Sequence, residues 1–398
     1  MAEPVDAPGL GPGPFGGGGS SPLVRTLVPH LVAAPDKFRG TATAAEVAAA
    51  AGRAARSAGW SADELPLADG GEGTLEVLWR ALGGERRTVR VPGPLGDPVE
   101  AEWLFLASGL PRANPGDVAR PPWGVARPAG ERLDQRPVAV VESARAAGRA
   151  LLPAPSGDDP LRARTDGVGA LVLEAIDAGA VLVVIAVGGS ATTDGGWGAV
   201  SAVGARERLG RASLLVACDV DTAFRAAAET FGPQKGATPA QVPALRARLD
   251  VLAQRYHEEF GVDVEALAGS GAGGGLAGGL AALGAALVPG FALVASLVDL
   301  DRRVAAADLV MTGEGRLDAT SFAGKVVGGV LAARGGVMPA LCVAGEIEEG
   351  VERFWAERPG RVDAVSLVSS VGAKRARLAT ADSVAEVVAR SCRGRARR

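Results

Sequence analysis

The 398-residue chain carries 42 basic and 45 acidic side chains, with 47% hydrophobic and 22% charged residues. That composition describes a globular protein long enough for two domains, and its net charge of −3 gives no general attraction to nucleic acid or anionic membranes. Three scattered cysteines match neither a zinc nor a disulfide framework, which points to a reducing cytoplasm, and having only His30 and His257 excludes most histidine-based catalysis and metal ligation.

Residues 1–22 are rich in Gly and Pro, lack an apolar segment and begin with Glu3 and Asp6, so they read as a disordered extension rather than a signal peptide. Leu27–Ala34 is the first expected strand, running into Pro35-Asp36-Lys37-Phe38-Arg39-Gly40. Thr43-Ala44-Ala45-Glu46 has capping-box spacing and opens a helix to about Ser57. Glu64–Ala68 predicts a short strand that breaks into Asp69-Gly70-Gly71-Glu72-Gly73-Thr74, followed by a helix to Gly83-Gly84. Val89–Leu106 reads as a hairpin or short meander. Residues 107–137 are Pro-, Gly- and Arg-rich without periodicity, as in a surface insertion. Val138–Val141 returns to strand, Glu142 heads a helix-forming stretch, and Asp166–Asp177 is helical.

Val181–Val187 is apolar and valine-rich, too short for a buried helix, and predicts a strand buried on both faces of a parallel sheet. It breaks into Gly188-Gly189-Ser190-Ala191-Thr192-Thr193-Asp194-Gly195-Gly196, and loops at such strand ends are where open α/β sheets hold ligands. Leu214–Cys218 is a further strand, ending at Asp219 and Asp221. Phe231–Gly236 is a loop, and Thr238-Pro239 starts an amphipathic helix to about Phe260. Ala266–Val298 contains no charge, yet its glycines and Pro289-Gly290 interrupt the run of about 20 apolar residues that a membrane span needs. It reads as a glycine loop followed by a buried Ala/Leu helix. Asp308–Thr312 is a strand with a loop at Gly313–Asp318, Gly324-Lys325 opens a helix, and Ala340–Ala344 and Ala364–Val368 are the last strands. Arg393–Arg398 forms a solvated basic tail.

Three common site motifs fail. Gly269-Ser270-Gly271-Ala272-Gly273-Gly274 has dinucleotide-fingerprint spacing without the preceding strand or a downstream acid. Gly324-Lys325 lacks the rest of a phosphate-binding P-loop, and Gly188–Thr192 is not a nucleophile elbow. The remaining loops combine carboxylates, hydroxyls, exposed amides and lysines, the parts that phosphoryl transfer uses. Only Lys37, Lys235, Lys325 and Lys374 are lysines, and three of the four fall in these loops. A phosphate is expected at the helix that follows Gly273, where amides and the helix dipole favour an anion.

The stretches Ala34–Gly40, Ala68–Thr74, Gly188–Gly196, Ala217–Val220, Phe231–Ala237, Gly271–Gly275, Thr312–Asp318 and Gly324-Lys325, in this order, resemble the bacterial type I glycerate kinase family from about Leu27 to Val388. The resemblance implies ATP- and Mg²⁺-dependent phosphorylation of D-glycerate by a cytoplasmic monomer or homodimer, with no nucleic-acid or membrane partner. The implied α/β fold has a Rossmann-like parallel-sheet domain with a second α/β domain inserted. Strand placement sets the discontinuous domain at 23–75 with 290–398 and the insert at 76–289. On loop chemistry and resemblance together, Asp194, Lys235 and Lys325 are expected to be catalytic. Substrate or nucleotide is expected to contact Asp36, Lys37, Gly70, Gly71, Ser190, Thr192, Gly271, Gly273, Gly274, Glu314 and Arg316. Asp69, Asp219 and Asp318 are the expected metal ligands. One departure stands out: after Asp221 the family's usual Asn-Pro-Leu turn is replaced by Thr222-Ala223-Phe224-Arg225-Ala226. It keeps two alternatives open, a kinase of another small hydroxy acid and a non-catalytic ligand-binding relative.

Overall fold

The structure, a computed structural model, describes residues 28–110, 136–152, 159–335, 338–356 and 360–396. The expected extension at 1–22, positions 111–135 of the expected insertion and the last two residues of the basic tail lie outside the described residues. Two sheets organise the chain. The first is entirely parallel and uses β1 (His30–Ala33), β2 (Ser61–Glu64), β9 (Leu309–Leu317), β10 (Ala340–Ile347) and β11 (Val362–Ser366) in the order β11-β10-β9-β1-β2. The second uses β3 (Glu85–Pro92), β4 (Pro98–Leu106), β5 (Val138–Glu142), β6 (Leu182–Ala186), β7 (Ser213–Cys218) and β8 (Ala286–Pro289) in sequence order. Its first two pairings are antiparallel and the rest parallel.

Alternation along the central strands shows why they are apolar throughout. Val183 and Ile185 of β6 face the core formed with the helices Asp166–Asp177, Trp197–Val203 and Val242–Phe260, while Leu182 and Val184 face the opposite core. A strand covered on both faces has no polar face to display. Burial of each such side chain contributes about 1.5–3 kcal/mol. The opposite core is shared between the sheets. It joins Val32 and Leu67 from the first sheet's side to Leu104, Val140, Val184 and Leu215 of the second. The helices Thr74–Leu82, Gly290–Leu297, Leu300–Ala305 and Val326–Ala333 fill the layer between them. A third core packs the helices Ala44–Ser57 and Thr380–Ala396 on the outer face of the first sheet.

The capping box forms as its spacing predicts: Thr43 Oγ1 accepts from the Glu46 amide at 3.1 Å, and Glu46 accepts from the Thr43 amide at 2.8 Å. Five expectations need correction. β2 ends at Glu64, before most of the predicted strand, although the Leu65 and Leu67 amides still donate to Ala33 and Pro35. Gly313–Leu317 is strand rather than loop, because β10 is long enough to pair with it through Ile347. The single Ala/Leu helix is two short helices, Leu276–Ala282 and Gly290–Leu297, separated by edge strand β8. Glu142 closes β5 instead of heading a helix, and Arg393–Ala396 continues the last helix rather than forming a tail. Among the described residues no helix is long and apolar enough to cross a membrane.

Candidate active site at the junction of the sheets

The C-terminal ends of β1, β9 and β10 open into a cavity of about 390 Å³ lined by Asp36, Lys37, Arg39, Asp69, Glu314, Asp318 and Lys325. The Asp36 amide donates to Gly313 and the Lys37 amide to Asp36 Oδ1, so the turn after β1 is tied to β9. Lys37 Nζ stands 3.9 Å from both Asp36 Oδ1 and Asp69 Oδ1. The second sheet contributes Asp219, which follows β7. Its carboxyl is in hydrogen-bond contact with Asp69 and feels the charge of Lys325.

Burial, followed by the Asp69 charge and that hydrogen bond, pushes Asp219 up to about 6, with Lys325 opposing. Burial likewise lifts Asp36 to about 6, Asp69 adding to it while Lys37 opposes. Glu314 is pushed up to about 7, again chiefly by burial, with Ser321 and Lys325 pulling down and Asp36 and Asp318 adding to the rise. Its Oε1 is buried and has no hydrogen-bond partner. Carboxylates that hold protons near neutrality are matched to proton transfer and cation binding.

The Gly188–Gly196 loop adjoins this cluster without entering it. Gly188 lies against Gly71, where a Cβ would stand 2.5 Å from the Gly71 Cα; only glycine permits that approach. Beyond it, Lys235 is only 5% exposed, its Nζ 2.8 Å from Ser190 Oγ and 2.6 Å from the Thr192 carbonyl. Burial lowers Lys235 to about 7, opposed by Asp194. A neutral amine has two N–H groups, enough for both acceptors. Gly274 has φ +75°, and a Cβ there would strike the Thr192 carbonyl and lie 2.8 Å from Lys235 Nζ.

Several sequence expectations change. Asp194 is remote from the carboxylate cluster in its bonding. Its Oδ2 accepts from the Thr165 amide (2.9 Å), Thr165 Oγ1 (2.8 Å) and the Gly198 amide (3.1 Å), and its Oδ1 from the Gly196 amide (3.1 Å). It braces the loop rather than facing a reactant, and Lys235 is enclosed rather than open to the cavity. Asp318 does not join Asp69 and Asp219 as a third ligand: it caps the turn Ala319–Phe322, accepting from the Thr320 amide and hydroxyl at 2.8 and 2.6 Å. Those bonds hold its carboxyl below the ordinary value. Arg316 lies exposed at the rim, paired with Glu348 at 3.0 Å. The expected phosphate cradle is used internally, since the Gly271, Gly274, Gly275, Ala277 and Gly278 amides already donate to backbone carbonyls.

Asp36, Lys37, Asp69, Asp219, Glu314 and Lys325 are therefore brought together; Gly70 and Gly71 shape the loop carrying Asp69; Ser190, Thr192, Gly273 and Gly274 form the neighbouring wall with Lys235. Among the described residues no three His, Cys, Asp or Glu side chains converge to hold a metal by themselves. Asp69 and Asp219 nevertheless suit Mg²⁺, which commonly binds one or two carboxylates and completes its shell with water and substrate phosphates. The Asp69 charge that helps raise Asp219 marks where a cation would relieve repulsion.

A larger cavity of about 950 Å³ lies between the β3–β4 turn and the helix Val242–Phe260. Its lining is mainly apolar, and its two acids are engaged, Asp166 with Arg164 and Asp194 with backbone amides. The smaller cavity is therefore the candidate active site. The atypical turn after Asp221 does not line it: Phe224 is fully buried against Tyr256, and the Thr222 carbonyl accepts from Gly271. Sequence reasoning missed Glu142, which is buried and accepts from the Gly73 and Leu75 amides just after Asp69; the signal was an acid at the end of a run of four apolar residues.

Comparison with known proteins gives the family. A model described as the glycerate kinase family matches residues 31–208 and 205–393. A glycerate kinase from Halalkalibacterium halodurans is 36% identical over 396 residues, covering 91% of this chain and 96% of that protein. A glycerate 2-kinase from Escherichia coli K12 is 33% identical, covering 81% of this chain and 86% of its own. A crystal structure from Salmonella typhimurium LT2, assigned as a glycerate kinase 2, superposes with a TM-score of 0.71 at 32% identity, covering 92% of this chain and 98% of that one.

Proposed function

We propose, from the premise that this chain belongs to the glycerate kinase family, that it transfers the terminal phosphoryl group of ATP to a hydroxyl of D-glycerate. The chain is a kinase of that family, and glycerate is the acceptor its relatives' names support. The observation that carries the finer reading is the gathering of Lys37 and Lys325 with Asp36, Asp69 and Glu314 in one cavity, with Asp219 from the second sheet beside Asp69.

Lys37 and Lys325 supply positive charge for phosphoryl oxygens or the substrate carboxylate. Asp69 and Asp219 would hold Mg²⁺, whose contribution when bound is to neutralise charge on the phosphate oxygens. Glu314, with an unpartnered oxygen, is suited to accept the proton that leaves the acceptor hydroxyl. Asp194 and Lys235 keep the neighbouring loop in shape. The name of the E. coli relative favours the 2-hydroxyl as acceptor. We read the protein as cytoplasmic, and as a discontinuous domain, 23–75 with 290–398, holding an insert at 76–289; the division of the strands between two sheets supports that reading.

The test is turnover of purified protein with MgATP and D-glycerate, with the product identified by phosphorus NMR. Formation of ADP and 2-phosphoglycerate is expected. Turnover of a different hydroxy acid, with none of glycerate, would overturn the acceptor while keeping the kinase.

A further inference from the structure

We propose that Glu142 is a positioning residue of the phosphoryl-transfer site, fixing the Asp69–Gly73 loop of one sheet against the other sheet and so setting Asp69 opposite Asp219. The inference rests on the reading of Asp69 and Asp219 as the cation pair.

Glu142 ends β5 and is 1% exposed. Its Oε1 accepts from the Gly73 amide at 2.9 Å and the Leu75 amide at 2.8 Å, and its Oε2 from Arg145 Nε at 3.2 Å. The first amides of a helix have no partner within it. Gly73, at the N-cap of the helix Thr74–Leu82, has no side chain to serve them. Glu142 takes that place from 69 positions along the chain and from the other sheet. Its negative charge also complements the positive end of the helix, so that end serves Glu142 rather than a phosphate.

Two further contacts press the same loop onto the second sheet. Gly188, just beyond β6, touches Gly71, and Gly290, just beyond β8, lies so close to the Asp69 carbonyl that a Cβ would strike it. These are non-directional contacts that set a separation. The hydrogen bonds of Glu142 are directional and charge-assisted, and they set the orientation of the loop. Gly73 and Asp69 belong to one short turn, so a shift at the cap displaces the carboxylate. A residue that does nothing but cap a helix would affect stability alone; a positioning residue must also change cation affinity.

The test compares wild type with Glu142→Ala and Glu142→Gln. It measures Mn²⁺ affinity without nucleotide, kcat and KM with MgATP and D-glycerate, amide exchange at Gly73 and Leu75, and thermal unfolding. Loss of such supporting groups weakens metal sites or activity by about 10–100-fold. E142A is expected to weaken Mn²⁺ binding and lower kcat within that range, leaving KM for D-glycerate nearly unchanged. E142Q, which keeps the carbonyl acceptor, should recover most of the loss. A folded E142A with lowered Tm but wild-type Mn²⁺ affinity and kcat overturns the proposal. Should E142A fail to fold, E142Q with faster amide exchange at Gly73 and unchanged affinity and kcat overturns it equally. If wild type turns over no glycerate, yet the Glu142 variants still weaken its Mn²⁺ binding, the positioning role stands and the acceptor assignment falls.

Discussion

Asp69 and Asp219 meet carboxyl to carboxyl although one follows β2 of the first sheet and the other follows β7 of the second. Burial and the Asp69 charge push Asp219 up to about 6, and a divalent cation between the two acids would relieve that repulsion. Replacing either acid by asparagine should keep the fold and lower kcat by at least about 100-fold, with a higher Mg²⁺ requirement in any residual activity. A magnesium titration of turnover for each variant checks this; wild-type dependence in both would remove the pair from cation binding.

Glu314 is protonated more readily when folded, its value rising from 4.5 to about 7. Between those values the native state binds more protons than the unfolded chain, so this group's contribution to stability is present below pH 4.5 and is lost as pH rises through 7. Glu314→Gln should therefore raise Tm relative to wild type at pH 8 and leave it unchanged near pH 4, while lowering turnover. Thermal melts across that range decide it, and a Tm gain of equal size at both ends would point to packing instead.

Lys235 shows the opposite linkage. Burial lowers it from 10.5 to about 7, so between these values the unfolded chain binds more protons and stability rises with pH. Below pH 7 the desolvation penalty is fully present. Lys235→Met should flatten the stability profile from pH 7 to 10.5 and, by releasing Ser190, reduce turnover. Lys374→Met, at an exposed position, should leave both unchanged. Denaturant unfolding at stepped pH reads the slope.

Asp194 satisfies four buried donors, and each donor left unpaired costs about 1–3 kcal/mol. Asp194→Ala should lose at least about 3 kcal/mol of stability in urea unfolding. A variant with wild-type stability and abolished turnover would return Asp194 to the chemistry.

Local signals carried much of the fold. The Val181–Val187 run and the Thr43–Glu46 box lie within single elements, and the structure forms both where the pattern puts them. The family assignment was equally legible, since the loops resembling it occur in order. What escaped the sequence depends on distant partners. Gly313-Glu314-Gly315 looks like a loop until β10 supplies its backbone partners. The Asp194 carboxylate looked available because the Thr165 amide and hydroxyl that occupy it lie 29 positions away. Glu142 looked like a helix start because the helix it serves comes earlier in the chain, across the sheet boundary.

The strand order also bears on how the protein is made. β1 and β2 leave the ribosome first, yet β1's other neighbour, β9, follows far behind; the His30 amide bonds to Asp308, 278 positions later. The six strands between Glu85 and Pro289 pair in sequence order and can assemble as they emerge. Until the helices Gly290–Leu297 and Val326–Ala333 arrive, Val140, Val184 and Leu215 lack part of their cover and β1 keeps an open edge. A nascent chain stalled before Leu309 would expose both an apolar face and an unpaired strand, the two surfaces that most readily recruit other chains. The late arrival of β9 makes the stretch of translation between Pro289 and Leu309 the interval in which this chain leaves the most partner-seeking surface uncovered.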